Sequence, residues 1–399
     1  MTSPGESSWP SVDLEQVDWN PAVPSELLTR AQRAHYREPY SAAAVTPIAD
    51  RTPYLAPELL SLVDDASTLI TRFDAELGAE IAPFATVLLR SEAAASSQIE
   101  NLSSGAKQIA LAELGSREKR NATEIVGNVA AMRAALALAD NLDADAILSM
   151  HNALMAHHAP DIAGRWRAEA VWIGGSSIGP HDADYVAPQA AHVPELIDDL
   201  IGFTARTDLP ALAQIALAHA QFETIHPFPD GNGRTGRALL QAMLMALGLT
   251  RNVTVPVSAG LLTDTDGYFR ALDSYRHGDI TPIIEAVATA AQTAVVNGSR
   301  LVADIRAIRT DWDSRVKLRA DARARDLMEV LVRQPVVDGA SAAEALGISP
   351  TNAARAIGPL VDAGILREFT GFRRNRMWCA TDVTDALDDF ARRALRKTP

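Results

Sequence analysis

The stretch HPFPDGNGRTGR, from His226 to Arg237, separates two apolar, helix-like runs, LAQIALAHAQFETI before it and ALLQAMLMALG after it. A loop that feeds straight into a helix presents that helix's first backbone N–H groups, which lack intrahelical partners, and the positive end of its dipole. The junction is therefore suited to an anion. Gly231 and Gly233 permit backbone conformations closed to other residues and keep side chains clear of an approaching phosphate. Arg234 and Arg237 add two planar guanidinium forks that can clamp phosphate oxygens. Asp230 suits such a site only beside a divalent cation, because a carboxylate plus substrate phosphates is a common way of holding Mg²⁺. His226 stands where a base could take a proton from an attacking hydroxyl, and histidine is the one side chain whose unperturbed titration falls near neutral pH. From the residues alone this is a nucleotide-handling transferase, in which cationic charge stabilises the charge developing at phosphorus.

The surrounding chain has 399 residues, 47% of them hydrophobic and 22% charged, which is too long for one small domain and too apolar for a disordered chain. Helical spacing runs from Pro57 to about Leu114, with Leu59, Leu60, Leu62, Val63 and Leu69 and then Phe84, Val87, Leu88 and Leu89 three and four apart. It resumes from Leu142 to Gly298, broken by Gly164–Pro188, where β-prone pieces around Gly-Gly-Ser-Ser predict a hairpin. The expected organisation is a flexible leader over 1–30, an N-terminal helical region over 31–141 and a core over 142–298. A linker helix over 299–322 and a compact module over 323–399 follow. No apolar run reaches the roughly 18 residues that cross a bilayer and no signal peptide is visible, so no membrane partner is expected and a cytoplasmic address is the default. A single cysteine, Cys379, excludes internal disulfides and cysteine-based zinc fingers.

The net charge of −13 is unevenly spread. Residues 315–399 carry 15 Lys/Arg against 11 Asp/Glu, a surplus of four, which leaves seventeen net negative charges on residues 1–314. An acidic body argues against nucleic-acid binding over the whole surface, while the tail is mildly basic.

The loop resembles the signature of the Fic (Fido) family, His-x-Phe-x-(Asp/Glu)-Gly-Asn-Gly-Arg-x-x-Arg, at every specified position from His226 through Phe228, Asp230, Gly231, Asn232, Gly233 and Arg234 to Arg237. Such a match would arise by chance in a chain of this length with a probability on the order of 10⁻⁸ to 10⁻⁷. The resemblance implies a mainly α fold, a helical Fic core with a β-hairpin flap, and an adenylyltransferase that moves AMP from ATP onto a protein hydroxyl with release of pyrophosphate. It assigns His226 as base on a target Ser, Thr or Tyr, and Asp230 as Mg²⁺ ligand. Asn232 and the Gly231–Gly233 amides go to the α-phosphate and Arg237 to the γ-phosphate, with Phe228 as the loop's anchor. ATP contacts are expected from Gly231 through Arg237, Thr235 and Gly236 included. The related Doc-type kinases carry Lys where this chain has Gly233, which favours AMP transfer over phosphate transfer. Removal of AMP, or transfer of another nucleotide, is the alternative chemistry within the family.

Upstream, SEAAASSQIEN places Ser96, Glu100 and Asn101 in a pattern similar to the family's inhibitory motif (Ser/Thr)-x-x-x-Glu-(Gly/Asn). The resemblance implies that Glu100 competes with the γ-phosphate for Arg237, although Ser96 and Glu100 also read as neighbours one turn apart on a soluble helix. The hairpin at 164–188 resembles the family's flap, which can pair with an extended target segment, and an ordinary surface hairpin is the plainer reading. Tyr268, in LLTDTDGYFRALDSYRHGD, is a candidate adenosine contact or a core residue. His219, Glu223 and His226 do not have the His-Glu-x-x-His spacing of a zinc site, and His219 reads as a core histidine. His151 reads as a packing residue on a core helix, and His157 and His158 as the end of that helix.

In the tail, ASAAEALGISPTNAARAIGPLVDAGILRE predicts a helix-turn-helix, with its tight turn at Gly347, a second helix starting at Ser349-Pro350 and a core face of Ile357, Leu360, Ile365 and Leu366. REFTGFRRNRMWCA adds two β-prone pieces around Gly371 and a basic tip of Arg373, Arg374 and Arg376, which resembles the wing of a winged helix-turn-helix domain. Such a module contacts DNA in some proteins and serves docking or dimerisation in others. A DNA-binding regulator with a nucleotide-sensing core is thus the alternative function, and a homodimer follows from family resemblance alone.

Overall fold

A computed structural model of the chain describes residues 9–20, 23–78, 81–316, 322–371 and 375–396. In chain order it begins with β1 (Asp13–Val17), α1 (Arg30–His35), β2 (Tyr40–Ala44), α2 (Pro57–Leu77), α3 (Ile81–Ile99), α4 (Ala106–Glu113), α5 (Arg120–Ala137) and α6 (Ala144–Met155). The middle holds β3 (Trp172–Ile173), β4 (Tyr185–Val186), α7 (Val193–Thr204), α8 (Ala211–Ile225), α9 (Asn232–Ala246), α10 (Val257–Leu261), α11 (Thr265–Arg276) and α12 (Thr281–Arg315). The end holds α13 (Ala322–Arg333), β5 (Val336–Asp338), α14 (Gly339–Leu346), α15 (Pro350–Asp362), β6 (Arg367–Glu368), β7 (Met377–Cys379) and α16 (Thr381–Ala394). The chain divides into two compact units interleaved in sequence. The first is Met1–Ser67, Arg133–Leu247 and Asp266–Ala288; the second is Thr68–Met132, Gly248–Thr265 and Thr289–Pro399.

The first unit is organised on α8, which is buried at every residue from Leu212 to Ile225 and packs against α7 and α9. A helix that is apolar or small all round can only be an interior one. Its few polar side chains bond inward. Gln214 Nε2 donates to the carbonyls of Phe203 and Thr204 at 2.8 and 3.1 Å, and Gln221 accepts the Tyr275 hydroxyl at 2.7 Å. Two short antiparallel ribbons complete the unit, β1 with β2 (Asp13 opposite Ala44, Val17 opposite Tyr40) and β3 with β4 (Trp172 opposite Val186). The sequence puts a flexible leader over 1–30, yet Asp13–Val17 is a strand and Trp9 is buried against Phe203 and Tyr275, with ring centroids 6.3 and 6.2 Å away. One large aromatic side chain buries enough apolar surface to order a segment that has no periodicity of its own. Residues 1–8 lie outside the described residues.

In the second unit α3 is the buried element. Glu92, fully buried, accepts the backbone N–H and the hydroxyl of Ser258 at 2.9 and 2.7 Å and so caps the start of α10. Asp74 accepts the N–H groups of Asn252 and Val253 at 2.8 and 2.9 Å in the same manner. The sequence also sets a boundary at Asn297-Gly298, but both residues lie inside the 35-residue α12. Asn297 bonds sideways instead of breaking the helix, accepting from Arg393 Nε at 2.7 Å, and a Cβ at Gly298 would sit 3.2 Å from the Phe73 ring. Here glycine marks close packing, not a linker.

At the C-terminal end α14 stops at Gly347, whose φ of 60° is left-handed, and the Ser349 hydroxyl caps α15 by accepting the Asn352 N–H. Ile357, Leu360, Ile365 and Leu366 are buried as the pattern predicts, and β5, β7 and β6 form an antiparallel sheet with β7 in the centre. On the predicted basic tip Arg376 is paired with Glu368, while Arg373 and Arg374 lie outside the described residues. No described helix is long and apolar enough to cross a membrane.

Two glycines test the packing of the second unit. A Cβ at Gly260 would fall 2.0 Å from the carbonyl oxygen of Ala290, whereas one at Gly358 would meet nothing within 4 Å. Gly260→Ala should therefore destabilise by about 3 kcal/mol. Gly358→Ala, inside α15, should stabilise by about 0.5–1 kcal/mol. Urea denaturation of both variants measures this, and an unchanged midpoint for Gly260→Ala would refute the close approach of α10 to α12.

Candidate active site

All of the loop after α8 belongs to the first unit. The helix ends in His226, which takes a left-handed conformation (φ 51°, ψ 61°) while its N–H still donates to Phe222 at 2.9 Å. Gly231 is left-handed as well (φ 76°) and opens α9. Between these two reversals the loop is held by one side chain. Asn232 accepts the Phe228 N–H through Oδ1 and donates to the Phe228 carbonyl through Nδ2, both at 2.8 Å. Asn232 is assigned to the α-phosphate by the family resemblance; with both ends of its amide bonded to Phe228 and the residue 2% exposed, it acts as the loop's brace.

Phe228 is fully buried as the expected anchor, and one partner was not expected in that role. The His151 ring stacks on it at 3.7 Å with an 8° interplanar angle. His151 Nδ1 accepts the Gly164 N–H at 3.0 Å, so Nε2 is the protonated nitrogen and donates to the Asp230 carbonyl at 3.0 Å. Burial pushes His151 down to about 4, which keeps the ring neutral and this tautomer intact at neutral pH. A Cβ at Gly231 would meet Leu154 at 2.9 Å, so α6 walls that turn from behind.

His226 is partly exposed, and Asp230 faces solvent with 65% of its side chain accessible. His226 Nδ1 lies 3.3 Å from the Glu223 carbonyl; with Nδ1–H donating there, Nε2 is the basic nitrogen. Arg234 and Arg237 are 3% and 1% exposed at the first turns of α9, and Arg234 Nη2 stands 3.8 Å from Asp230 Oδ1. Gly233 lies beside them, partly exposed at the same helix start. Gly236 serves packing instead: a Cβ there would fall 2.9 Å from both Glu223 and Phe222. Thr235 is likewise fully buried. Among the predicted anion-site residues, therefore, Gly233 is partly exposed, while Gly231, Arg234, Thr235, Gly236 and Arg237 are buried around the same helix start.

Tyr268 is 2% exposed, its hydroxyl is 2.7 Å from His219 Nε2, and its ring stacks on that imidazole at 5.9 Å. It belongs to the core in this structure, as does His219, which burial and the Arg237 charge depress to about 3. Among the described residues no group of three or more His, Cys, Asp or Glu side chains is placed to hold a metal ion.

In the second unit Ser96 is fully buried on α3, Glu100 lies one residue beyond the helix end and is exposed, and Asn101 is left-handed (φ 60°) with its N–H donating to Gln98 at 2.9 Å. A Gly-or-Asn position after the glutamate thus has a local cause, since these residues enter the left-handed region most readily and end a helix there.

The pH dependence of stability follows from His151 and His219. Each is held neutral in the fold, below the ordinary value of 6.5, so folding gains stability that is fully present above 6.5 and is lost as pH falls toward about 4 and about 3 respectively. Melting temperature should decline from pH 7 to pH 5, and the decline should be shallower in a His151→Gln/His219→Gln variant. An equal slope in both proteins would contradict the neutral-core assignment.

Comparison with known proteins places this geometry. The Fic/DOC family model matches residues 141–244, and the Fic/DOC family N-terminal model matches residues 60–137. A "Protein adenylyltransferase Fic" of Nematostella vectensis is 30% identical over 159 residues, 39% of this chain and 34% of that protein. "Protein adenylyltransferase fic-1" of Caenorhabditis elegans is 30% identical over 156 residues, 39% of this chain and 28% of that protein. The chain thus spans about a third of the length of these curated relatives. A crystal structure of a Fic family protein from Desulfovibrio desulfuricans G20 shares the fold, with a TM-score of 0.51 at 23% identity over 82% of this chain and 97% of that one. The His226–Arg237 loop lies inside one matched segment and the Ser96–Asn101 helix end inside the other, so residues 60–137 and 141–244 carry the two regions that the Fic/DOC family models describe.

Proposed function

We propose that this chain is a protein adenylyltransferase, which transfers AMP from ATP to a Ser, Thr or Tyr hydroxyl of a protein and releases pyrophosphate. One observation carries the reading: a partly exposed histidine and a helix start bearing two deeply set arginines are brought together by a four-residue turn between left-handed residues. The helix-start amides and guanidinium groups make a cradle for phosphates. Asp230, exposed at its rim, is of the type that shares Mg²⁺ with substrate phosphates, and the metal would supply charge neutralisation there. In the proposed reaction His226 Nε2 takes the hydroxyl proton, the hydroxyl oxygen bonds to the α-phosphorus, and the bond from that phosphorus to the pyrophosphate oxygen breaks.

Regulation belongs to the same proposal. The helix end at Ser96–Asn101 presents Glu100 as an exposed carboxylate behind a left-handed cap, a form suited to competing with the γ-phosphate for Arg237. The antiparallel ribbon of β3 and β4 is read as the flap that guides a target segment, and residues 323–399 as a winged helix. Arg376, one of its predicted phosphate contacts, is paired with Glu368, and the module is read as a docking or DNA-contacting unit.

Incubation with α-labelled ATP and Mg²⁺ tests this. Glu100→Gly should label itself or a lysate protein at least tenfold faster than the native chain. Adding His226→Ala should lower labelling by a factor on the order of 10²–10⁴. No label from Glu100→Gly with ATP, or an equal label with His226→Ala present, would sink the transferase reading.

A further inference from the structure

The catalytic loop of the first unit leans on a residue outside the family signature. Arg167 is 3% exposed, and every group it bonds is a main-chain carbonyl. Its backbone N–H donates to Pro227 at 3.0 Å, Nε to His226 at 2.8 Å, and Nη2 to Ile225 at 3.4 Å. The rest of the fork turns the other way. Nη1 donates to Glu169 at 3.1 Å and Nη2 to Pro188 at 2.5 Å, which are the two ends of the segment carrying β3 and β4.

We infer that Arg167 is a positioning residue for AMP transfer: it fixes the left-handed turn at His226 and fastens both ends of the β3–β4 segment to that turn, so that base and flap move as one body. This rests on the transferase reading. Three consecutive carbonyls, those of Ile225, His226 and Pro227, are bonded by this single residue, so the direction of the His226 main chain, and with it of the imidazole, is set from one side. A non-glycine residue stays left-handed only where its surroundings over-determine it. Only a guanidinium suits the task, since its donors lie in one plane and point to opposite sides, whereas a lysine ammonium presents three donors from a single point. Burial lowers Arg167 to about 10, which still leaves it cationic at neutral pH. A second tie runs parallel, the Tyr185 hydroxyl of β4 donating to the Thr224 carbonyl at 2.5 Å. Phosphate-side geometry has its own brace in Asn232 and His151, so the two functions are separable.

The test uses the full chain carrying Glu100→Gly, with and without Arg167→Lys or Arg167→Gln. Four quantities are read: labelling rate at saturating ATP, affinity for a non-hydrolysable ATP analogue with Mg²⁺ by calorimetry, melting temperature, and the His226 ring signals by ¹⁵N-histidine NMR over pH. The labelling rate should fall at least thirtyfold in both variants while analogue affinity changes less than threefold, and the His226 titration or tautomer signals should move. Folded variants that label within threefold of the parent overturn the proposal. So does a parallel loss of rate and analogue affinity, or a failure of both variants to fold, which would make Arg167 a general folding residue. If the Glu100→Gly parent itself does not label, the transferase reading fails separately. Unmoved His226 signals would then overturn the positioning role, and shifted ones would uphold it.

Discussion

A histidine in the left-handed region, at the end of a helix with no solvent-facing side, is the constraint on which the site depends. That conformation costs a non-glycine residue roughly 1–2 kcal/mol and does not persist unaided. Here it is spanned by carbonyl bonds from Arg167, closed behind by the Asn232 brace on Phe228, and backed by the stacked His151 ring. Each bond contributes on the order of 1 kcal/mol, so several are needed before the strained geometry becomes the stable one. The consequence is a turn that delivers a basic nitrogen to the mouth of a helix start while its own polar groups are internally bonded.

The electrostatics of the site run against those of the chain. Residues 1–314 are strongly acidic, yet the start of α9 gathers two nearly inaccessible arginines at the positive end of a helix dipole. Over a Debye length of about 8 Å at physiological ionic strength, the local arrangement outweighs the distant surplus. A polyphosphate would therefore be met by cationic groups in a setting of reduced dielectric, where each contact is stronger than it would be in water. Asp230 stays at the rim, where a carboxylate can share a hydrated cation without being buried.

Legibility in the sequence divided along the line between local and distant causes. The signature from His226 to Arg237, the caps at Gly347 and Ser349, and the buried face of Ile357, Leu360, Ile365 and Leu366 were readable because each depends on neighbours within a few residues. The strand at Asp13–Val17 was hidden because its order comes from Trp9 and from pairing with Tyr40–Ala44. Asn297-Gly298 misled for the opposite reason, since its turn-forming composition is overridden by packing on Phe73 and by Arg393. Arg167 escaped notice although one cue was present, an arginine set between Trp166 and Trp172 in a β-prone stretch.

The residues by themselves were enough to set out a helix start suited to an anion after a histidine-led loop, because glycine freedom, arginine charge and the helix dipole act within a dozen positions. Only the folded chain decided which of those residues meet the solvent. Asn232, Thr235, Gly236 and Tyr268 turn inward, and His151 and Arg167 are drawn in to hold the turn. The physical reason is that side-chain direction and main-chain carbonyl satisfaction are set by segments some 60 to 80 residues apart in sequence that meet only on folding, as the Arg167–His226 and His151–Asp230 bonds do.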